Sequence, residues 1–270
     1  MYLLIQTPIT LAQHVRNQFV GGSFNGVFIH NPSIAYSAND GSYRYSGPDP
    51  SNYVCFGSDA NPCPDDNLYR IIGAFGDNVK LIKVVSLGQH PWMGTTADVY
   101  SDWANSALNI NVLNGQFLNS FTPYWSEKIA AYPFFISGNN GYNFMYNGAQ
   151  VAFDFEVGLN KNPGFYVTKI GLMYVSDYYF GAMPEYWSYP GYSDDGRDYR
   201  QASVVNWMPR GAWTISRITD SDRYVINVDF GGVVSSPVAN SFYLIFPVFY
   251  LNPVYYISGV GTSANPFRIS

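Results

Sequence analysis

The sequence predicts a strand-rich α+β chain, on three observations. Of the 270 residues, 24 are Tyr and 19 Phe, while only 12% are charged. Glu occurs three times (Glu127, Glu156, Glu185) and Lys five. Residues that build solvated helices are therefore scarce, and strand and loop formers dominate. Second, two β-rich runs flank a Gly-Asp-Asn turn at 76–78. Third, helical spacing is confined to short stretches. The length allows one large domain or two small ones, either able to bury a core. The longest apolar run, Phe242 to Leu251, has ten residues and contains Pro247, against about 20 for a membrane-spanning helix. Met1 to Ile9 lacks the pattern of a secretory signal, so export would imply a signal already removed or a trimmed chain. With a net charge of −5 and no stripe of Lys and Arg, nucleic acid is not an expected partner.

Along the chain, residues 1–50 read as an N-terminal extension and residues 51–270 as the main domain. Thr7-Pro8 offers an N-cap and a first helical residue. Leu11, Ala12, Val15 and Phe19 mark one helix face, and Gly21-Gly22 ends it. Residues 23–52 read as loop with short strands. Leu68–Phe75 and Val79–Val85 form the predicted hairpin, with Lys80 and Lys83 breaking the alternation and turning one edge to water. Asp98 or Ser101 can cap a helix carrying Trp103 and Ala107. Leu113, Phe117, Leu118 and Phe121 suit a second short helix. Residues 122–165 read as loop and strand, Phe165–Val175 as a buried strand, and 176–211 as a long loop. Ala212–Ser216, Arg223–Val228, Val233–Ser235, Phe242–Leu251 and Val254–Ile257 read as strands.

Cys55 and Cys63 close a Gly/Asp/Asn/Pro loop with no further Cys or nearby His to complete a zinc site. A disulfide is expected, which implies an oxidising compartment, outside the cell or on its surface. The alternative is two free thiols in a loop. No catalytic constellation stands out. His14, His30 and His90 are scattered and no Gly-x-Ser-x-Gly occurs. Asp154 and Glu156, two apart in Phe-Asp-Phe-Glu-Val, would share one face of a strand, where a solvated face explains them more simply than glycosidase chemistry. Asp194-Asp195 and Asp220-Ser-Asp222 supply hard oxygens but read as surface loop carboxylates. No metal or cofactor is expected.

Several segments, taken in order, resemble a family of bacterial surface domains. Trp103-Ala-Asn-Ser-Ala-Leu followed by Val112-Leu-Asn-Gly-Gln-Phe-Leu-Asn-Ser-Phe121 is similar to its W-x-x-S-x-L…W-L-N-G-x-F signature. Lys169–Asp177, Trp213–Arg217, Tyr224–Val234 and Leu244–Leu251 resemble its later strands, and Asn52–Asp59 with Gly259–Ile269 resemble a branch found in surface and pilin-like proteins of gut Firmicutes. The family's Gly-Val-Arg-Pro is replaced by Leu244-Ile245-Phe246-Pro247, so the Gly and Arg are missing. The resemblance implies a C-type-lectin-like fold, related to that of formylglycine-generating enzymes. It is also the fold of variable proteins of diversity-generating retroelements, which display varied side chains on a rigid core. The reactive late cysteines of the enzymes are absent, since both cysteines precede residue 64.

Tyr, Asn, Ser and Gly are the residues of adaptable binding surfaces. In 178–207 the aromatics alternate with Asp and Arg, as in a contact hot spot, and the same rings also suit a small satellite core under the loop. The candidate ligand-binding residues there are Tyr186, Trp187, Tyr189, Tyr192 and Tyr199. By position in the resembled fold, Tyr224, Asn227, Asp229, Ser235, Ser236 and Asn240 join them. The expected function is non-catalytic recognition of a cell-surface glycan or protein, outside the cell or on a cell or virion surface. The alternative is a subunit of a surface filament, because low charge favours self-association.

Overall fold

Residues 8–19, 26–93, 101–139, 148–157 and 164–270 are described by a computed structural model. In chain order the elements are α1 (Leu11–Asn17), β1 (Val27–Ile29), β2 (Tyr43–Tyr45), β3 (Tyr53–Cys55), β4 (Leu68–Phe75), β5 (Asn78–Lys83) and β6 (Gln89–Pro91). A π-helical stretch, Leu108–Phe117, precedes α2 (Pro123–Ser126), β7 (Tyr132–Phe135), β8 (Gly138–Asn139), α3 (Ala149–Glu156), β9 (Phe165–Thr168), α4 (Val175–Gly181) and α5 (Tyr199–Ala202). Strands β10 (Ala212–Ile218), β11 (Val225–Val228), β12 (Val234–Ser235), β13 (Phe242–Leu244), β14 (Val248–Leu251), β15 (Tyr256–Ser258) and β16 (Arg268–Ile269) complete the chain. The architecture is α+β and strand-rich. No described helix is long and apolar enough to cross a membrane.

Two six-stranded sheets organise the molecule. One runs β1-β2-β4-β5-β14 with β3 on β4, and the other runs β12-β11-β10-β13-β6 with β8 on β10. The β4–β5 hairpin forms as predicted, Phe75 pairing with Asn78. Its turn needs Gly76 at φ 58°, a left-handed conformation that costs glycine little. The continuous strand expected over 242–251 is two strands, one in each sheet, separated by Ile245-Phe246-Pro247. Proline has no N–H to donate to a ladder, so the chain changes sheet where pairing would stall. The expected boundary at residue 50 runs between strands of a single sheet, because β1 and β2 pair onward to β4.

Other expectations are corrected. Thr10, not Thr7, caps α1. Its hydroxyl accepts from the Gln13 N–H while Gln13 accepts from the Thr10 N–H, a reciprocal capping box. Asp98 lies outside the described residues. The helix expected over 113–121 is the π-helix over 108–117, which still buries Leu113 and Phe117. Residues 122–165, read as loop and strand, contain α2 and α3. The buried strand expected over 165–175 shrinks to β9, with Phe165 and Val167 exposed, and Val175 opens α4. Lys80 and Lys83 do not face water. Both are buried, Lys80 on Asp177 and Lys83 with its ammonium donating to the Asp66 carbonyl at 2.5 Å.

The core is aromatic. Trp92, Trp103, Trp187 and Trp213 are essentially fully buried. Phe56 is a hub, with the rings of Tyr69, Phe121, Trp125 and Phe249 at 5.1–5.8 Å, a separation at which edge-to-face pairs add about 0.5–1.5 kcal/mol each beyond burial. Cys55 and Cys63 are bonded and pin the loop beside this hub.

Candidate functional site

A cavity of about 800 Å³ opens between the first sheet, β7, α3 and the start of α4. Its floor is set by strand register. Arg44 pairs with Gly73, and Gly73 with Lys80, which in turn pairs with Tyr250. One row across β2, β4, β5 and β14 therefore reads Arg, Gly, Lys, Tyr. A Cβ at Gly73 would lie 2.5 Å from the Tyr43 carbonyl oxygen, so this position requires glycine and places no side chain between the two cations.

Asp177, from the first turn of α4, serves both cations. Lys80 Nζ lies 2.5 Å from Asp177 Oδ2, and Arg44 Nη1 lies 3.6 Å from Oδ1. The Tyr174 N–H also donates to Oδ2, at 2.9 Å. Arg44 donates to Asp40 Oδ2 at 2.7 Å and to Ser42 Oγ at 2.9 Å. Burial acts to raise the Asp40 carboxyl, but the Arg44 guanidinium and the Ser42 hydrogen bonds outweigh it and hold it at about 2. Burial pushes the Lys80 ammonium down, and Asp177 opposes this. Two cations and two carboxylates balance, as a buried charge cluster must. Aromatic faces complete the shell. Arg44 lies 4.8 Å from the Phe75 and Phe180 ring centres, and Lys80 lies 4.2 Å from that of Tyr174, within cation–π range.

Glu156 fixes the helix that supplies Asp177. Its carboxylate accepts from the Val175 and Ser176 N–H groups, each at 2.9 Å, and from the Ser216 hydroxyl. It thereby satisfies two donors that α4 leaves without intrahelical partners. Burial pushes its carboxyl up to about 7 despite these bonds. The expected solvated pair Asp154/Glu156 is thus overturned. On a helix, positions two apart diverge, so Glu156 is buried and Asp154 exposed.

Above the floor, the mouth is aromatic and polar. Tyr132 stacks on Tyr250 with ring centres 3.7 Å apart, and Phe135, Phe153 and Phe75 continue the wall. Asn39, Asp40, Gln150 and Asp154 supply the polar edge. Sequence reading missed this site. Its nearest signal was the aromatic run Tyr132-Pro-Phe-Phe135, which nothing ties to Arg44, Lys80 and Asp177 before the chain folds.

The residues singled out from sequence divide. Trp187 and Tyr199 have no exposed surface and belong to the core. The Trp187 indole N–H donates to the Ala182 carbonyl, and the Tyr199 hydroxyl to that of Tyr179. Asn227 is also buried and accepts from the Ser235 hydroxyl at 2.6 Å. These three are corrected from displayed to internal, because the two large rings and the buried Asn227 side chain complete the packing. Tyr186 and Tyr189 are half-buried and meet edge to face at 5.1 Å. Tyr192 lies under the Arg200 guanidinium at 4.9 Å. Tyr224, Asp229, Ser235 and Ser236 are half-buried, Asn240 is exposed, and Asp229 accepts from the Val233 N–H to close a turn. The two candidate regions do meet: a Cβ on Gly191 would lie 3.2 Å from Val234. None of these residues lines the cleft.

No known protein family, curated protein or solved structure matches the chain.

Proposed function

We propose that the chain is a non-catalytic recognition module of C-type-lectin-like fold, acting outside the cell, whose cleft takes a cell-surface glycan. The observation that carries this is the mouth of the cleft. Stacking rings, Tyr132, Phe135 and Phe153, stand beside Asn39, Asp40, Gln150 and Asp154 over a floor locked by ion pairs. Rings stack on the apolar faces of sugars while amides and carboxylates bond hydroxyls, the mixed lining usual in small-ligand sites. The rigid floor keeps the ordering cost of binding low. The disulfide supports an oxidising compartment.

The test is a glycan screen by direct titration. The double variant Tyr132→Ala, Phe153→Ala should lose about tenfold or more in affinity, near 1.4 kcal/mol, while Tyr189→Ala and Tyr192→Ala leave it unchanged. The opposite pattern would move the site to the 186–240 surface. A native chain that takes no glycan would overturn the reading.

A second reading, a subunit of a surface assembly, is favoured by exposed apolar side chains on or beside short strands: Phe165 and Val167 on β9, Ile257 on β15 and Tyr255 just before it. Light scattering separates the two, since an assembly subunit grows in mass with concentration.

A further inference from the structure

Lys80 and Asp177 are each 1% exposed, and Nζ lies 2.5 Å from Oδ2. The residues are 97 apart in sequence, one on β5 and one on α4. Burying two opposite charges in contact is costly, and condensing them into an amide removes both charges. The amine that has lost its proton is the nucleophilic form of the lysine. Phe75, Tyr174 and Tyr250 surround the amine at 4.2–5.9 Å, and burial pushes the ammonium towards losing its proton.

We propose that Lys80 and Asp177 condense into an intramolecular amide that staples β5 to α4. Lys80 Nζ bonds to Asp177 Cγ. The Cγ–Oδ1 bond breaks, and Oδ1 leaves as water with two protons from the nitrogen. The positive and negative charges cancel, so no further reactant is required.

Three features support the step. Attack is intramolecular between groups held in contact, and well-oriented pairs react with effective molarities of about 10⁵ M or more. The carboxyl oxygens face fixed donors, the Tyr174 N–H on Oδ2 and Arg44 Nη1 near Oδ1, which stabilise the negative oxygen of the tetrahedral stage. Oδ2 keeps the Tyr174 bond as the amide carbonyl, while Oδ1 accepts no hydrogen bond among the described residues. Both groups line the cleft, which provides an exit for the water. Charge also balances in the product. Arg44 and Asp40 remain paired at 2.7 Å, so removing one cation and one carboxylate leaves no unpaired charge.

The test is the intact mass of the full folded chain, measured after disulfide reduction and denaturation. The native chain should be lighter than its reduced sequence mass by one water, and a digest should yield one branched peptide joining the Lys80 and Asp177 segments. Lys80→Ala should show its full sequence mass, and Asp177→Asn should lose ammonia in place of water. A native chain at full mass after prolonged native incubation would overturn the proposal and leave a simple ion pair. So would a water deficit that persists in Lys80→Ala, the signature of a succinimide at Asp195-Gly196.

Discussion

The cleft floor and the segment from 186 to 240 reverse what sequence reading suggests of them. The segment supplies the aromatic residues that sequence reading takes for display, yet two of them, Trp187 and Tyr199, are wholly internal. The floor is built from Arg44, Lys80 and Asp177, charged residues that sequence patterning assigns to water, and all three are buried. Aromatic rings here serve the packing of a chain with few aliphatic helices. A charge inside a β-rich run, in contrast, marks a partner arriving from elsewhere in the fold.

The sharpest test of this contrast pairs Asp177→Ala with Tyr192→Ala in urea unfolding. Removing Asp177 strands the Lys80 ammonium in the interior and should cost about 3–5 kcal/mol. Removing the half-buried Tyr192 ring should change stability by no more than about 0.5 kcal/mol. Equal effects would erase the distinction between the two regions.

The pH profile sharpens it further. Burial raises the Glu156 carboxyl from 4.5 to about 7. As pH rises through that window the unfolded chain releases the proton first, so stability falls by about 3 kcal/mol and levels off above it. Asp40 has the opposite sign. Burial opposes its ionisation, but Arg44 and Ser42 lower it from 3.8 to about 2, so its contribution is lost as pH falls through that range. Glu156→Gln should flatten the slope between about pH 5 and 7. An unchanged slope in thermal melts across that range would place the buried proton elsewhere.

The smallest effect concerns the loop closed by Cys55 and Cys63. Reduction, or Cys63→Ser, should cost about 2–3 kcal/mol through the entropy of the unfolded chain. Because the disulfide touches neither the cleft nor the tyrosine segment, glycan titration should be unaffected at temperatures where the chain stays folded.

Some of this was legible in the residues alone. The β4–β5 hairpin is encoded by the turn at 76–78 and its flanking β-formers. The helix face Leu11, Ala12, Val15 follows from spacing, and the disulfide from the proximity of two cysteines with no competing ligands. Strands β10 and β11 also lie where β-branched and aromatic runs place them. Other features were not. Residues 149–156 form a helix although their alternating Phe and acidic residues suit a strand, because Ala149, Ala152 and Glu156 pack inward and Glu156 caps α4.

What the sequence by itself determined is therefore local: turns, a capping box, short strands and a nearby disulfide, each the result of interactions among residues close in the chain. Tertiary structure alone decided which tyrosines are core and that 242–251 bridges two sheets. It alone set Arg44, Gly73, Lys80 and Tyr250 in one row beneath Asp177. That row depends on strand register and on a helix 97 residues away from Lys80. The energy of a buried charge exists only once its partner has arrived, so no local pattern could announce it.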